Sequence, residues 1–114
     1  MFERGSTSTD QLNWDTPDQI EQLLIRAYVR LVYRPRRASA FRVTVVVGHI
    51  GPIDVRLTEM EPEAVALGQP PFWLEIYSHT SGSTIDSCGC FAFDEDELGR
   101  AVEMILEATR NQIM

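Results

Sequence analysis

Two amphipathic helices flanking four alternating strands predict an α+β fold. The expected form is a two-layer sandwich, with a four-stranded antiparallel meander carrying both helices on one face. Three observations lead there. Apolar residues recur at helical spacing from Ile20 to Leu31 and again from Leu98 to Leu106. Between them lie four runs in which apolar and polar residues alternate. The links between successive runs are short, which favours hairpins over crossovers.

The first helix starts at Thr16-Pro17-Asp18-Gln19, where Thr can cap, Pro loses nothing at the first turn and Gln completes a capping box. Ile20, Leu23, Leu24, Ala27, Tyr28 and Leu31 form its core face, which Val29, Val32 and Tyr33 are expected to broaden. Pro35 ends it. Residues 1–13 are polar and aperiodic and are expected to be a flexible tail, with Trp14 folding back on the helix and a single domain spanning 14–114.

Phe41 to Val47 is rich in β-branched residues and predicts the first strand, with an edge of the sheet as its expected place. Gly48 to Pro52 makes the turn, and Ile53, Val55 and Leu57 alternate along the second strand. Pro62 to Leu67 predicts one helical turn stopped by Gly68. Phe72 to Tyr77 is the third strand, and Thr84 to Phe93 the fourth, with Ile85, Phe91 and Phe93 of one parity. Gly89 inside that strand predicts a bulge or a close backbone approach. Asp94 caps the last helix with Glu97 closing the box, and Leu98, Ala101, Val102, Ile105, Leu106 and Ile113 line its buried side. On this reading the sheet's other face carries Trp73, Tyr77, Val46, Cys88 and Cys90.

Composition excludes several classes. The 44% hydrophobic and 24% charged fractions are those of a globular chain. No run approaches the roughly 20 apolar residues that span a bilayer. The first residues lack the apolar centre of a signal peptide, so a cytoplasmic location is expected. Two cysteines, one residue apart, make no secreted disulfide framework. A net charge of -7 argues against nucleic acid as the partner of the whole body.

The charge is unevenly placed. Arg26, Arg30 and Arg34 recur every four residues along one side of the first helix, and Arg36, Arg37 and Arg42 follow. No Asp or Glu occurs between Gln22 and Ile53, so that segment carries +6. A solvated helix face neutralised by Glu103 and Glu107 would show the same spacing. As a functional signal it marks a contact surface, with Arg26, Arg30, Arg34 and Arg37 as partner-binding residues. Trp73 and Tyr77, on the face away from the helices, are the expected aromatic anchors.

A second constellation is Cys88-Gly89-Cys90 with His79 and His49, whose donors would suit tetrahedral zinc if they converged. The histidines lie in turns, and turns at opposite ends of the sheet would keep them apart; the cysteine spacing is not that of a redox dithiol. The Ser78-to-Ser83 turn with a histidine and Asp54 or Asp86 supplies catalytic residue types without a nucleophile motif. Asp94 to Glu97 lacks the glycine of a calcium loop. The expectation is therefore a small acidic, non-enzymatic adaptor, chaperone or inhibitor that binds a protein partner, without cofactor or membrane. An edge strand or the free sheet face also offers a surface for a homodimer. The competing expectation is a metal- or thiol-dependent protein using Cys88 and Cys90 with His79 or His49.

Overall fold

The structure is a computed structural model that describes residues 16–34 and 42–113, with side chains described up to position 111. The predicted tail, Trp14, Pro35, Arg36, Arg37, Phe41 and the side chain of Ile113 lie outside the described residues. Thr16 is extended, and its Oγ1 accepts the Gln19 N–H at 3.3 Å. That capped turn opens α1 (Pro17–Val32). There follow β1 (Val43–Ile50), β2 (Ile53–Glu59), α2 (Pro62–Ala66), β3 (Phe72–Ser78), β4 (Ser83–Cys90) and α3 (Glu95–Ile113).

The strands pair antiparallel in chain order, β1-β2-β3-β4, which leaves β1 and β4 as edges. Side chains on the covered face fall into cross-strand rows. One is Val45–Leu57–Leu74–Cys88, and the rows beside it are Val43–Glu59–Phe72–Cys90 and Gly48–Val55–Ile76–Asp86. Both helices pack on this face. Ile20, Leu24, Ala27 and Leu31 of α1 join Leu98, Ala101, Val102, Ile105 and Ala108 of α3 in one core with the strand residues. Each fully buried Leu or Ile contributes about 1.5–3 kcal/mol relative to exposure. An aromatic cluster closes one end, with Tyr28 stacked on Phe93 at 5.1 Å and tilted against Phe72 at the same distance.

Four sequence expectations change. β1 runs on through Gly48 to Ile50, because a bulge between Val46 and Gly48 takes up Val47 as the extra residue and leaves Gly48 paired with Val55. The turn shrinks to Gly51-Pro52, where Gly51 takes the positive φ of 55° that a II′ hairpin needs at its first position. β4 stops at Cys90 rather than Phe93. The N–H groups of Phe91, Ala92 and Phe93 leave the ladder for the Glu97 carboxylate, and Phe93 turns to φ 53°.

Cys88 and Cys90 lie on the covered face, not the free one. Ile76 faces Asp86 and Tyr77 faces Thr84, so Ile85 is an extra residue that reverses the expected parity. Cys90 is 1% exposed, while Ile85 and Phe91 face solvent. Lastly, Val29 and Tyr33 do not broaden the core face of α1; both are exposed on its outer side. The core row occupies the opposite side of the helix, and only Leu23, Tyr28 and Val32 flank it.

The close approach expected at Gly89 is present. A Cβ there would lie 2.5 Å from Cγ of Pro70 and 3.5 Å from the Trp73 ring, so the strand needs a glycine for Pro70 and Trp73 to close over it.

Candidate interaction face

Among the described residues no helix covers the other side of the sheet. Three cross-strand rows organise it: Thr44–Thr58–Trp73–Gly89, then Val46–Arg56–Glu75–Ser87, then His49–Asp54–Tyr77–Thr84. Trp73 and Tyr77 therefore do share the free face, as the alternation of β3 predicts, and both are half-buried. Thr44 and Thr58 lock the first row through a 2.6 Å hydroxyl–hydroxyl hydrogen bond. Beside it Arg42, Thr44, Thr58, Met60, Trp73 and Glu75 line a shallow, open depression of about 360 Å³. The rim carries both signs of charge, since Arg42 pairs with Glu61 at 3.3 Å.

The third row holds a polar cluster. Asp54 is buried between its neighbours, its side chain only 12% exposed. Its Oδ1 lies 2.6 Å from Nδ1 of His49, and its Oδ2 lies 3.0 Å from Nε2 of His79 and 3.4 Å from Arg56. A carboxylate only accepts, so the facing nitrogen of each imidazole carries the proton. That leaves Nε2 of His49 and Nδ1 of His79 turned outward. Arg56 also lies over the Tyr77 ring at 4.4 Å, and Tyr77 meets the His79 ring edge-on at 5.0 Å. The result is a braced platform of two imidazoles, a guanidinium and a phenol around one carboxylate.

Burial pushes the Asp54 carboxyl up, but hydrogen bonds from His49, His79 and Arg56 outweigh it and hold the pKa down to about 2. A carboxyl depressed in the folded state stabilises the fold above its unfolded pKa, near 3.8, and loses that contribution as pH falls toward 2. In urea titrations the wild type should therefore lose about 1–2 kcal/mol between those limits through this group. Asp54→Asn should lack that component of the pH profile. An unchanged profile in the variant would remove the cluster's claim to brace the face.

His49 and His79 converge on Asp54, against the expectation from sequence that turns at opposite ends would keep them apart. In a four-stranded meander the β1–β2 and β3–β4 turns share an end, and that was the available signal. The cysteines sit elsewhere. Cys88 pairs with Leu74, four residues along β3 from Ser78, so it lies about 13 Å from the histidine end and on the other face. Among the described residues no group of three or more His, Cys, Asp or Glu could hold a metal ion. The hydrogen bond with its neighbour Cys88, helped by burial, pushes the Cys90 thiol far above the ordinary range. The turn hydroxyls also keep to themselves. Ser78 Oγ accepts the Ser81 N–H at 3.3 Å, and Ser81 and Ser83 share a 3.0 Å hydrogen bond. Among the described residues, neither imidazole reaches a hydroxyl or thiol.

The arginine row divides. Arg34 is tied down, donating to Glu59 at 2.5 Å and to the Leu31 carbonyl at 2.6 Å, so its carboxylate partner comes from β2 and not from the last helix. Arg26 and Arg30 are exposed, and among the described residues they form no ion pair. Arg37 lies outside the described residues.

No helix among the described residues is long and apolar enough to cross a membrane. Compared with family models, curated proteins and solved structures, the chain matches none.

Proposed function

We propose that this protein is a non-enzymatic interaction protein, of adaptor, chaperone or inhibitor type, that docks a protein partner on its free sheet face. The observation that carries the reading is the set Trp73, Tyr77 and Arg56, held half-buried on a sheet side that no helix among the described residues covers. Aromatic and arginine side chains in such a setting are the residue types that dominate binding energy at interfaces. They are also pre-ordered. Arg56 is pinned by Asp54 and Tyr77, and Trp73 lies across Gly89, so little rotamer entropy remains to be lost on docking. The shallow depression suits a protein surface better than an enclosed small molecule. Arg26 and Arg30, set against an acidic body, would orient the approach.

The test is recovery of partners by affinity purification, followed by measured affinities. Trp73→Ala/Tyr77→Ala should weaken the recovered complex about tenfold or more while leaving the far-ultraviolet circular dichroism unchanged. Binding of undiminished strength would sink the reading. If the protein instead sediments as a dimer that the same double substitution dissociates, the partner on this face is a second copy.

A further inference from the structure

Cys88 and Cys90 are nucleophilic side chains that the docking reading does not use. Two positions apart on β4, they face the same way, toward the helices, with Cys88 opposite Leu74 and Cys90 opposite Phe72. Their burial differs. Cys90 is 1% exposed, whereas Cys88 is half-buried on an edge strand with no described strand beyond it. Solvent therefore reaches Cys88 first.

The two thiols also interact unequally. The Cys90 S–H donates to the Cys88 sulfur and holds the Cys88 thiol below its ordinary range. Burial, Asp86 and Glu97 oppose that effect, and Arg100 assists it. The thiolate is the reacting form of cysteine. The strand thus sets an accessible, activated sulfur beside a buried, protonated one.

We propose that Cys88-Gly89-Cys90 is a dithiol oxidised by hydroperoxides, and that its closure to a disulfide shifts Trp73 on the opposite face of the sheet. In the first step the Cys88 thiolate takes the distal oxygen of the peroxide. The O–O bond breaks, and the alkoxide or hydroxide leaves with a proton from solvent, giving a sulfenic acid on Cys88. In the second step the Cys90 sulfur attacks the Cys88 sulfur. The S–S bond forms, the S–O bond breaks, and the departing hydroxide takes the Cys90 proton to become water. Two thiols are oxidised by two electrons, and the peroxide is reduced to an alcohol or water plus one further water. The first step also releases the second. Once Cys88 is an uncharged sulfenic acid, the hydrogen bond to its thiolate and the thiolate charge no longer hold the proton on Cys90, and burial alone remains.

Gly89 links this chemistry to the free face. Two strand residues span about 6.4–6.8 Å, the upper end of what a disulfide bridges, so closure must draw β4 in at its middle residue. That residue is Gly89, which pairs with Trp73 and lies under Pro70 and the Trp73 ring. Any shift of its backbone is felt by both. A bridge formed against the extended strand is strained, and strained disulfides are the readily reduced ones, which makes the change reversible. Bond formation needs no partner; only its effect on docking rests on the reading of the free face as an interaction surface.

The test treats the reduced full chain with equimolar hydrogen peroxide. Both thiols should disappear, the monomer should lose the mass of two hydrogens, and dithiothreitol should restore it. Cys90→Ala should stop at a sulfenic acid on Cys88, trapped by dimedone, whereas Cys88→Ser should leave Cys90 about tenfold or more slower to react. Circular dichroism verifies that both variants fold, and the wild-type measurements stand without them. In a Trp14→Phe background Trp73 is the single tryptophan, and oxidation should shift its emission reversibly. Two thiols left free, a disulfide between two chains, accumulation of sulfinic acid on Cys88 in the wild type, or Cys90 reacting before Cys88 would each overturn the inference. Unchanged Trp73 emission in fully oxidised protein would overturn the link to the free face. These readouts use the protein alone, so failure of the docking reading leaves them intact.

Discussion

Leu74→Ala should destabilise the fold by about 3–4 kcal/mol, the largest loss expected from any single substitution considered. Leu74 is fully buried in the inner strand β3, between Leu57 of β2 and Cys88 of β4, beneath both helices. Removing its side chain forfeits the transfer free energy of the deleted carbons and opens a cavity that paired strands cannot close. For a domain this small such a loss is a large part of the usual 5–15 kcal/mol. Equilibrium urea unfolding should show a lower midpoint with an unchanged slope. The same variant should expose Cys90 to thiol reagents sooner, since Cys90 is reached only when the covered face opens. A loss below about 1 kcal/mol would mean that the helices do not close over this row.

Glu97→Ala is expected to cost about 2–3 kcal/mol. One carboxylate accepts from three successive backbone amides: Phe91 at 2.9 Å, Ala92 at 2.9 Å and Phe93 at 2.6 Å. Charge-assisted bonds of this kind are about twice as strong as neutral ones. They also hold the β4–α3 corner in place, including the positive φ of Phe93 that seats its ring on Tyr28. The Phe91 amide, with those of Ala92 and Phe93, holds the Glu97 carboxyl below its usual range against a smaller opposing push from burial. Its contribution is therefore present at neutral pH and fades as pH drops below the ordinary glutamate range. Glu97→Gln, which keeps one acceptor oxygen but no charge, should fall between wild type and alanine. A neutral outcome for Glu97→Ala in urea unfolding would show that water satisfies the corner equally well.

Asp94 and Glu97 also show how far local sequence reaches. Their spacing predicts a capping box, and Asp94 does accept the Glu97 N–H at 3.0 Å. Glu97, however, reaches past the cap to three amides of the preceding corner, ending β4 three residues early. Periodicity located α1, α3 and the four strands because it records which side of each element avoids water, a property of neighbouring residues alone. In the same way the sequence determined the meander, the shared face of the two helices, the close approach at Gly89 and the free-face placement of Trp73 and Tyr77.

What tertiary structure decided was the consequence of irregularities and long-range meetings. One extra residue, Ile85, moved Cys88 and Cys90 under the helices, because strand parity reverses at a bulge and no local pattern announces it. Asp54 joined His49 and His79 across two turns, and Glu59 took Arg34 out of the free row. Two of those pairings, Asp54 with His79 and Arg34 with Glu59, link residues 25 positions apart along the chain, where spacing carries no information. They depend on strand order and register, which are set only when all four strands assemble.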